Sequence, residues 1–142
     1  MRALLDINVL IALHDCDHVH HTRAAEWFEA HSAQGWASCP LTQNGFLRIM
    51  SQNGYNNPQP LSLLLQMLQS STQTLFHQFW PDDISLINDS TFNQTHIHSS
   101  RQLTDLYLLG LAVKNQACLV SFDQRIPLSA VQHAKPHNLV VL

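Results

Sequence analysis

A chain of 142 residues, 45% of them hydrophobic, suits one domain with a core large enough to fold without disulfide or metal staples. With 10 acidic side chains against 7 basic ones the formal net charge is −3, which excludes a protein that coats nucleic acid by bulk electrostatics. A nucleic-acid enzyme stays open, because an acidic site filled with divalent cations attracts phosphate locally.

In chain order, Ala3-Leu4-Leu5 is a short apolar run that ends at Asp6 and reads as a buried strand. A helix or turn is expected from Asn8 to Leu13. A polar connection follows, with Asp17 as N-cap of a helix from His20 to His31 whose stripe is Ala24, Trp27, Phe28 and His31. Trp36 to Cys39 suggests a second strand, and Pro40 suits the first turn of a helix running to about Ser51. Asn53 to Pro60 is a loop by composition, and Leu61, Leu64, Leu65 and Leu68 mark an amphipathic helix. After a break at Phe79-Trp80-Pro81, Ile84-Ser85-Leu86 is a candidate third strand. Thr104 to Asn115 is apolar almost all round and predicts a buried helix. Cys118 to Phe122 is a buried strand ending at Asp123, and Leu139 to Leu142 a last edge strand. Strands alternating with helices predict an α/β fold with a parallel sheet covered on both faces.

The three cysteines show no CxxC, and Cys39 and Cys118, in apolar runs, read as buried thiols. There is no signal-peptide pattern, and no apolar stretch reaches the roughly 20 residues of a membrane helix, so the expectation is a cytoplasmic protein with no membrane partner. His14, His18, His20 and His21 crowd together beside Asp15 and Asp17. The His14/His18 spacing would suit zinc on one helix, but it crosses a connection, so these read as surface imidazoles at a helix entry.

The chemistry lies in the acids. Asp6 and Asp123 each follow an apolar strand, and in a parallel sheet the carboxyl ends of the strands share the edge where ligands bind. Asp105 lies on one helical stripe with Leu108, Leu109 and Ala112, facing the core. A carboxylate there needs a partner, and a divalent cation shared with Asp6 and Asp123 would supply one. Thr104 is placed to cap that helix. Gln43 repeats the pattern, on a stripe with Phe46, Leu47 and Met50, and reads as a polar group lining the same site. Oxygen donors without Cys or His favour Mg²⁺ or Mn²⁺ over zinc. Arg48, Arg101 and Arg125 are candidate phosphate contacts.

MRALLDINVLIAL, TDLYLLGLA and LVSFDQR, in that order, resemble the strand, helix and strand that bear the acids of PIN-domain proteins. HDCDHVHH, WASCPLTQNGFLRI and FWPDDISL resemble the VapC-type toxins within that family, so the likeness spans nearly the whole chain. The resemblance implies residues 1–142 as a single PIN-like nuclease domain, a three-layer α/β/α sandwich around a central, mainly parallel sheet of about four to five strands. It implies a Mg²⁺- or Mn²⁺-dependent endoribonuclease acting on structured RNA such as tRNA or rRNA, a homodimer, and a small VapB-like antitoxin that blocks the site. Asp6, Asp105 and Asp123 match the family's metal-binding acids. Asn8, Thr104 and Ser121 match the polar residues that orient them by hydrogen bonds. Two positions depart from the pattern: Gln43 stands where the family usually has Glu, and Arg125 where many relatives carry another acid. Both remove negative charge, which leaves a non-catalytic PIN-like module that holds RNA or an antitoxin as the alternative. A DNA-directed nuclease of the flap-endonuclease type is disfavoured, because the chain lacks the helical arch such enzymes carry.

Overall fold

The computed structural model describes residues 1–142. Five strands, β1 (Ala3–Leu5), β2 (Trp36–Ser38), β3 (His77–Phe79), β4 (Cys118–Ser121) and β5 (Leu139–Val141), form one sheet in the order β3-β2-β1-β4-β5. Every neighbouring pair is parallel. The strands are only three or four residues long, and alternate side chains face opposite layers. Leu4, Ala37 and Leu119 point into one core, while Ala3, Leu5, Trp36 and Val120 point into the other.

The first core is closed by α5 (Leu103–Lys114), whose Leu106, Leu108, Leu109 and Leu111 are fully buried, together with Trp80 and Phe92 from the irregular segment before it. The second is closed by α1 (Ile7–His14), α2 (His21–His31), α3 (Pro40–Met50) and α4 (Leu61–Thr72), through Val9, Leu10, Phe46, Met50, Leu64 and Leu68. The result is the expected three-layer α/β/α sandwich. The chain lays β1, β2 and β3 outward in one direction, then returns through α5 to place β4 on the other side of β1. The right-handed rule for parallel crossovers puts the helices of the outward and return paths on opposite faces. The boundary between β1 and β4 is therefore the switch point of the sheet, where a crevice opens at the carboxyl ends of the strands.

Three local expectations are corrected. The third strand is His77–Phe79, not Ile84–Leu86. Ile84 and Leu86 lie half-buried against the α5 core without pairing to any strand. Asp17 does not cap α2: that helix starts at His21 after an N-cap His20 whose side chain makes no capping bond. Asp17 instead donates its backbone N–H to Asp15 Oδ1 at 3.0 Å. Thr104 does not cap α5, which begins one residue earlier and follows the short 3₁₀ turn Ser100–Gln102. Pro40 does occupy the first turn of α3, where Thr42 Oγ1 accepts the Cys39 N–H at 3.0 Å and Asp82 Oδ2, from a distant loop, accepts the Leu41 N–H at 3.0 Å.

Close approach of α3 to α1 fixes where the site begins. Gly45 on α3 faces Ile7, the residue after Asp6, and a Cβ there would lie 2.8 Å from Ile7 Cγ1. Gly45→Val must push the start of α1 away from α3, so it is expected to cost about 1–3 kcal/mol. The readout is a lowered urea midpoint at unchanged slope; an unchanged midpoint would contradict this packing account.

Candidate active site

Asp6 leaves β1 as the N-cap of α1, and its Oδ1 accepts the Ile7 N–H at 2.7 Å. Its register on β4 is fixed by the Leu5–Val120 pair and by its own N–H donating to the Val120 carbonyl at 3.0 Å. The buried Ser121 hydroxyl, at the end of β4, then donates to Asp6 Oδ2 at 2.6 Å. The same Ser121 oxygen accepts the Asp123 N–H at 3.1 Å. One hydroxyl thus ties together two acids more than a hundred residues apart. Asp123 closes a turn of its own, its Oδ1 accepting the Arg125 N–H at 2.8 Å. Asp105, in the first turn of α5, comes in from the opposite layer.

The electrostatics show that the three acids share one place. Burial raises the Asp6 carboxyl above its ordinary 3.8; the hydrogen bonds from Ser121 and Ile7 oppose that, and the charge of Asp123 adds to it. Asp105 is pushed up to about 7, by burial first, then by the charges of Asp6 and Asp123, and by the hydrogen bond its protonated form makes to Asp123. Arg125 Nε stands 3.5 Å from Asp123 Oδ1 but is almost wholly exposed, so it offsets little of this repulsion.

Asn8, one turn into α1, makes none of the expected hydrogen bonds to the carboxylates. Its Oδ1 is buried and has no partner. Thr104 is exposed and likewise bonds to none of them, so Ser121 alone orients the acids. A buried orphan carbonyl oxygen beside carboxyls that repel one another is the donor set a hard divalent cation takes. No three His, Cys, Asp or Glu side chains yet surround a single point at ligand distance. Asp6 faces Ser121 and Ile7, and Asp105 faces Asp123, so the donors fit in kind while protein partners hold them apart.

Gln43 departs from its expected role. Phe46 and Met50 of its stripe are buried as read, but the Gln43 Nε2 donates to Ser38 Oγ at 3.0 Å. Ser38 in turn lies 2.8 Å from His77 Nε2. Gln43 therefore serves the end of β2, one strand over from Asp6, and does not line the cleft of Asp105 and Asp123. That cleft, about 270 Å³, has Arg101, Gln102 and Arg125 on its walls, so two of the three candidate arginines reach it. Arg48 does not: it is exposed and lies about 12 Å further along α3 from its first turn.

The structure adds Gln102 and Phe122 to the site; Phe122 borders a second hollow with Asn8, Asp123, Gln124 and Arg125. Phe122 had a signal, an aromatic directly before a strand-end acid, but it reads equally as core. A larger hollow of about 400 Å³, lined by Leu10, His14, Phe28, Trp36 and Phe76, is apolar and shares no residue with the acids. His14 belongs to it, both ring nitrogens engaged, by the Leu10 carbonyl at 2.8 Å and Ser71 Oγ at 2.6 Å. Cys39 and Cys118 are buried thiols, the former pushed up to about 11 by its burial.

No family model matches the chain. Over all 142 residues, and the whole of the relative, it is 44% identical to Ribonuclease VapC44 of Mycobacterium tuberculosis. Ribonuclease VapC39 of the same organism is 39% identical over 131 residues, 92% of this chain and 94% of the relative. Ribonuclease VapC38 is 38% identical over 139 residues, covering 94% and 93%. Among solved structures, a chain of the crystal structure of VapBC2 from Rickettsia felis bound to a DNA fragment from their promoter superposes with a TM-score of 0.62. The match covers 100% of this chain and 98% of that one, and at 13% identity it is a likeness of fold.

The raised Asp105 carboxyl has a stability consequence. Between its ordinary 3.8 and about 7 the folded protein holds a proton that the unfolded chain has lost. Metal-free stability must therefore fall as pH rises through that window. Asp105→Asn removes the slope. With the side chain half-exposed, screening limits the gain to about 1 kcal/mol, or roughly 3 °C in Tm, at pH 8 in a chelator. The difference should close toward pH 4. A variant that melts no higher than the parent at pH 8 would show that the three carboxylates do not repel one another.

Proposed function

The chain belongs to the VapC family of ribonuclease toxins, and on that premise we propose that it is a Mg²⁺- or Mn²⁺-dependent endoribonuclease acting at the crevice between β1 and β4. The observation that supports this most is Asp105, its carboxyl pushed up to about 7 by burial and then by the charges of Asp6 and Asp123, with an Asn8 oxygen that has no partner at the same site. Titratable groups perturbed in this way cluster at functional sites.

Asp6, Asp105 and Asp123 would hold the cation, with Asn8 Oδ1 as a neutral donor. A divalent ion bound there lowers the pKa of a water molecule and neutralises charge on the scissile phosphate. The chain's own residues do the rest. Ser121 aims the Asp6 carboxyl and its hydrogen bond favours the ionised form against burial, and the backbone N–H of Asp123 holds Ser121 in turn. Asp105, protonated toward neutral pH by its burial and its neighbours, would bind such a cation as the carboxylate. Arg101 and Arg125, both on the walls of the polar cleft, take phosphate oxygens of the backbone. Gln43 brings no charge, so the cation is held less tightly than a Glu at that position would hold it.

Structured RNA such as tRNA or rRNA is the proposed substrate. A VapB-like antitoxin that covers the crevice is the proposed partner, a reading supported by the VapBC2 assembly of the same fold, and a homodimer is the proposed assembly. No helix is long and apolar enough to cross a membrane.

Incubated with total RNA and Mn²⁺ or Mg²⁺, the protein is expected to cut, and a chelator to stop it. Asp6→Asn, Asp105→Asn and Asp123→Asn should each lower the rate at least about 100-fold, on the scale of removing one transition-state stabiliser. Gln43→Glu should tighten Mn²⁺ about tenfold in calorimetry, the worth of one added charge at partly screened range. If neither the parent nor Gln43→Glu cuts RNA, the catalytic reading fails and the binding-module alternative stands.

A further inference from the structure

Asp123 separates two hollows of different chemistry. The cleft holding Asp105, Arg101 and Gln102 is polar. The hollow on its other side, about 350 Å³ and open, has polar walls from Asn8, Asp123, Gln124 and Arg125 and a single apolar wall, Phe122. That phenyl does not stand alone. The imidazole of His20 lies against it, ring centroids 4.6 Å apart and planes only 27° from parallel. His20 comes from the turn before α2, where its side chain makes no capping bond; the His18 ring also approaches it, but tilted by 48° at 5.8 Å, so it does not stack on the face a base would use. Both rings are half-buried. A packing role for Phe122 calls for aliphatic neighbours on the β4 side, which it has; it does not call for a second flat ring from a turn a hundred residues away.

We propose that the His20–Phe122 stack is a nucleobase platform. The base of a nucleotide next to the scissile phosphate continues the stack on His20, while Arg125 and, across Asp123, Arg101 take the neighbouring phosphates. The proposal rests on the ribonuclease reading and narrows its substrate. A stacked base must first leave its own helix, so the cut falls in a loop or single strand and not in a duplex. Every base has a π-face, so the platform selects for unpaired nucleotides more than for one base.

The test uses a short single-stranded RNA bearing 2-aminopurine, alone and annealed to its complement, with the parent protein and two variants. His20→Leu keeps an apolar cover on Phe122 but has no ring; His20→Phe keeps the ring. Binding to the parent should quench 2-aminopurine, and the duplex should bind and be cut at least tenfold more weakly. His20→Leu should weaken single-strand binding about tenfold and abolish the quench, with the loss in cleavage falling on KM more than on kcat. His20→Phe should bind within about twofold of the parent. Melting temperatures of both variants confirm that they fold. Equal binding by His20→Leu and the parent, a His20→Phe as weak as His20→Leu, or a duplex cut as fast as the single strand would each overturn the platform. A parent that binds and quenches yet cuts nothing supports the platform and sinks the catalytic reading.

Discussion

A carboxylate as deeply buried as Asp6 persists only while donors face it, and two of the donors it has come from its own helix and from β4. The second is the informative one. The Ser121 hydroxyl can give its single proton once, and it gives it to Asp6; its lone pair then accepts the Asp123 N–H. Moving either acid would leave a buried oxygen without a proton or an amide without an acceptor, at about 1–3 kcal/mol each. The relative positions of Asp6 and Asp123 are thus set by hydrogen-bond accounting in the interior, not by loops at the surface. Asp105 has no such donor and answers the same crowding by keeping its proton.

That arrangement depends on the path of the chain. Were β4 to follow β3 at the outer edge, two strands would separate Ser121 from Asp6. The return through α5 places β4 directly against β1, and it also brings the first turn of α5, with Asp105, over the same end of the sheet from the other layer. The three acids arrive from two strands and one helix, each rigid and each packed on a core, and so the site needs no loop to order it. Gly45 and Gly110 belong to the same economy of space: each lacks a Cβ where a neighbouring segment of its own layer, at Ile7 or at Phe92, comes too close for one.

Asp6 and Asp123 were legible in the sequence because central parallel strands are buried on both faces and read as plain apolar runs, so the acid that ends each run stands out. Asp105 was legible through helical periodicity, which sets it on a stripe of leucines. The third strand was not. His77–Phe79 lies at the sheet edge with Gln78 and Phe79 exposed, and it lacks the apolar run that Ile84 and Leu86 mimic without strand partners. The caps were missed for a related reason: α3 is capped by Asp82 from 41 residues away, and local spacing carries no trace of that bond. The contact of His20 with Phe122 spans a hundred residues and is equally silent in any window of the chain.

Gln43 shows how far a periodicity argument reaches. The stripe of Phe46 and Met50 correctly marked it as a polar group turned inward, and the family pattern marked the place of an acid. Neither indicates what the amide does. Its NH₂ can only donate, so Ser38 Oγ accepts from it, which leaves the Ser38 proton free for an unprotonated His77 Nε2. Burial holds the His77 ring below its ordinary value, consistent with that neutral form. A carboxylate at position 43 cannot donate. Ser38 would have to turn its proton toward it and accept from His77 in return, and the whole chain of bonds would reverse. The amide thus sets the direction of a half-buried chain of hydrogen bonds that runs from α3 through the end of β2 to the edge strand β3.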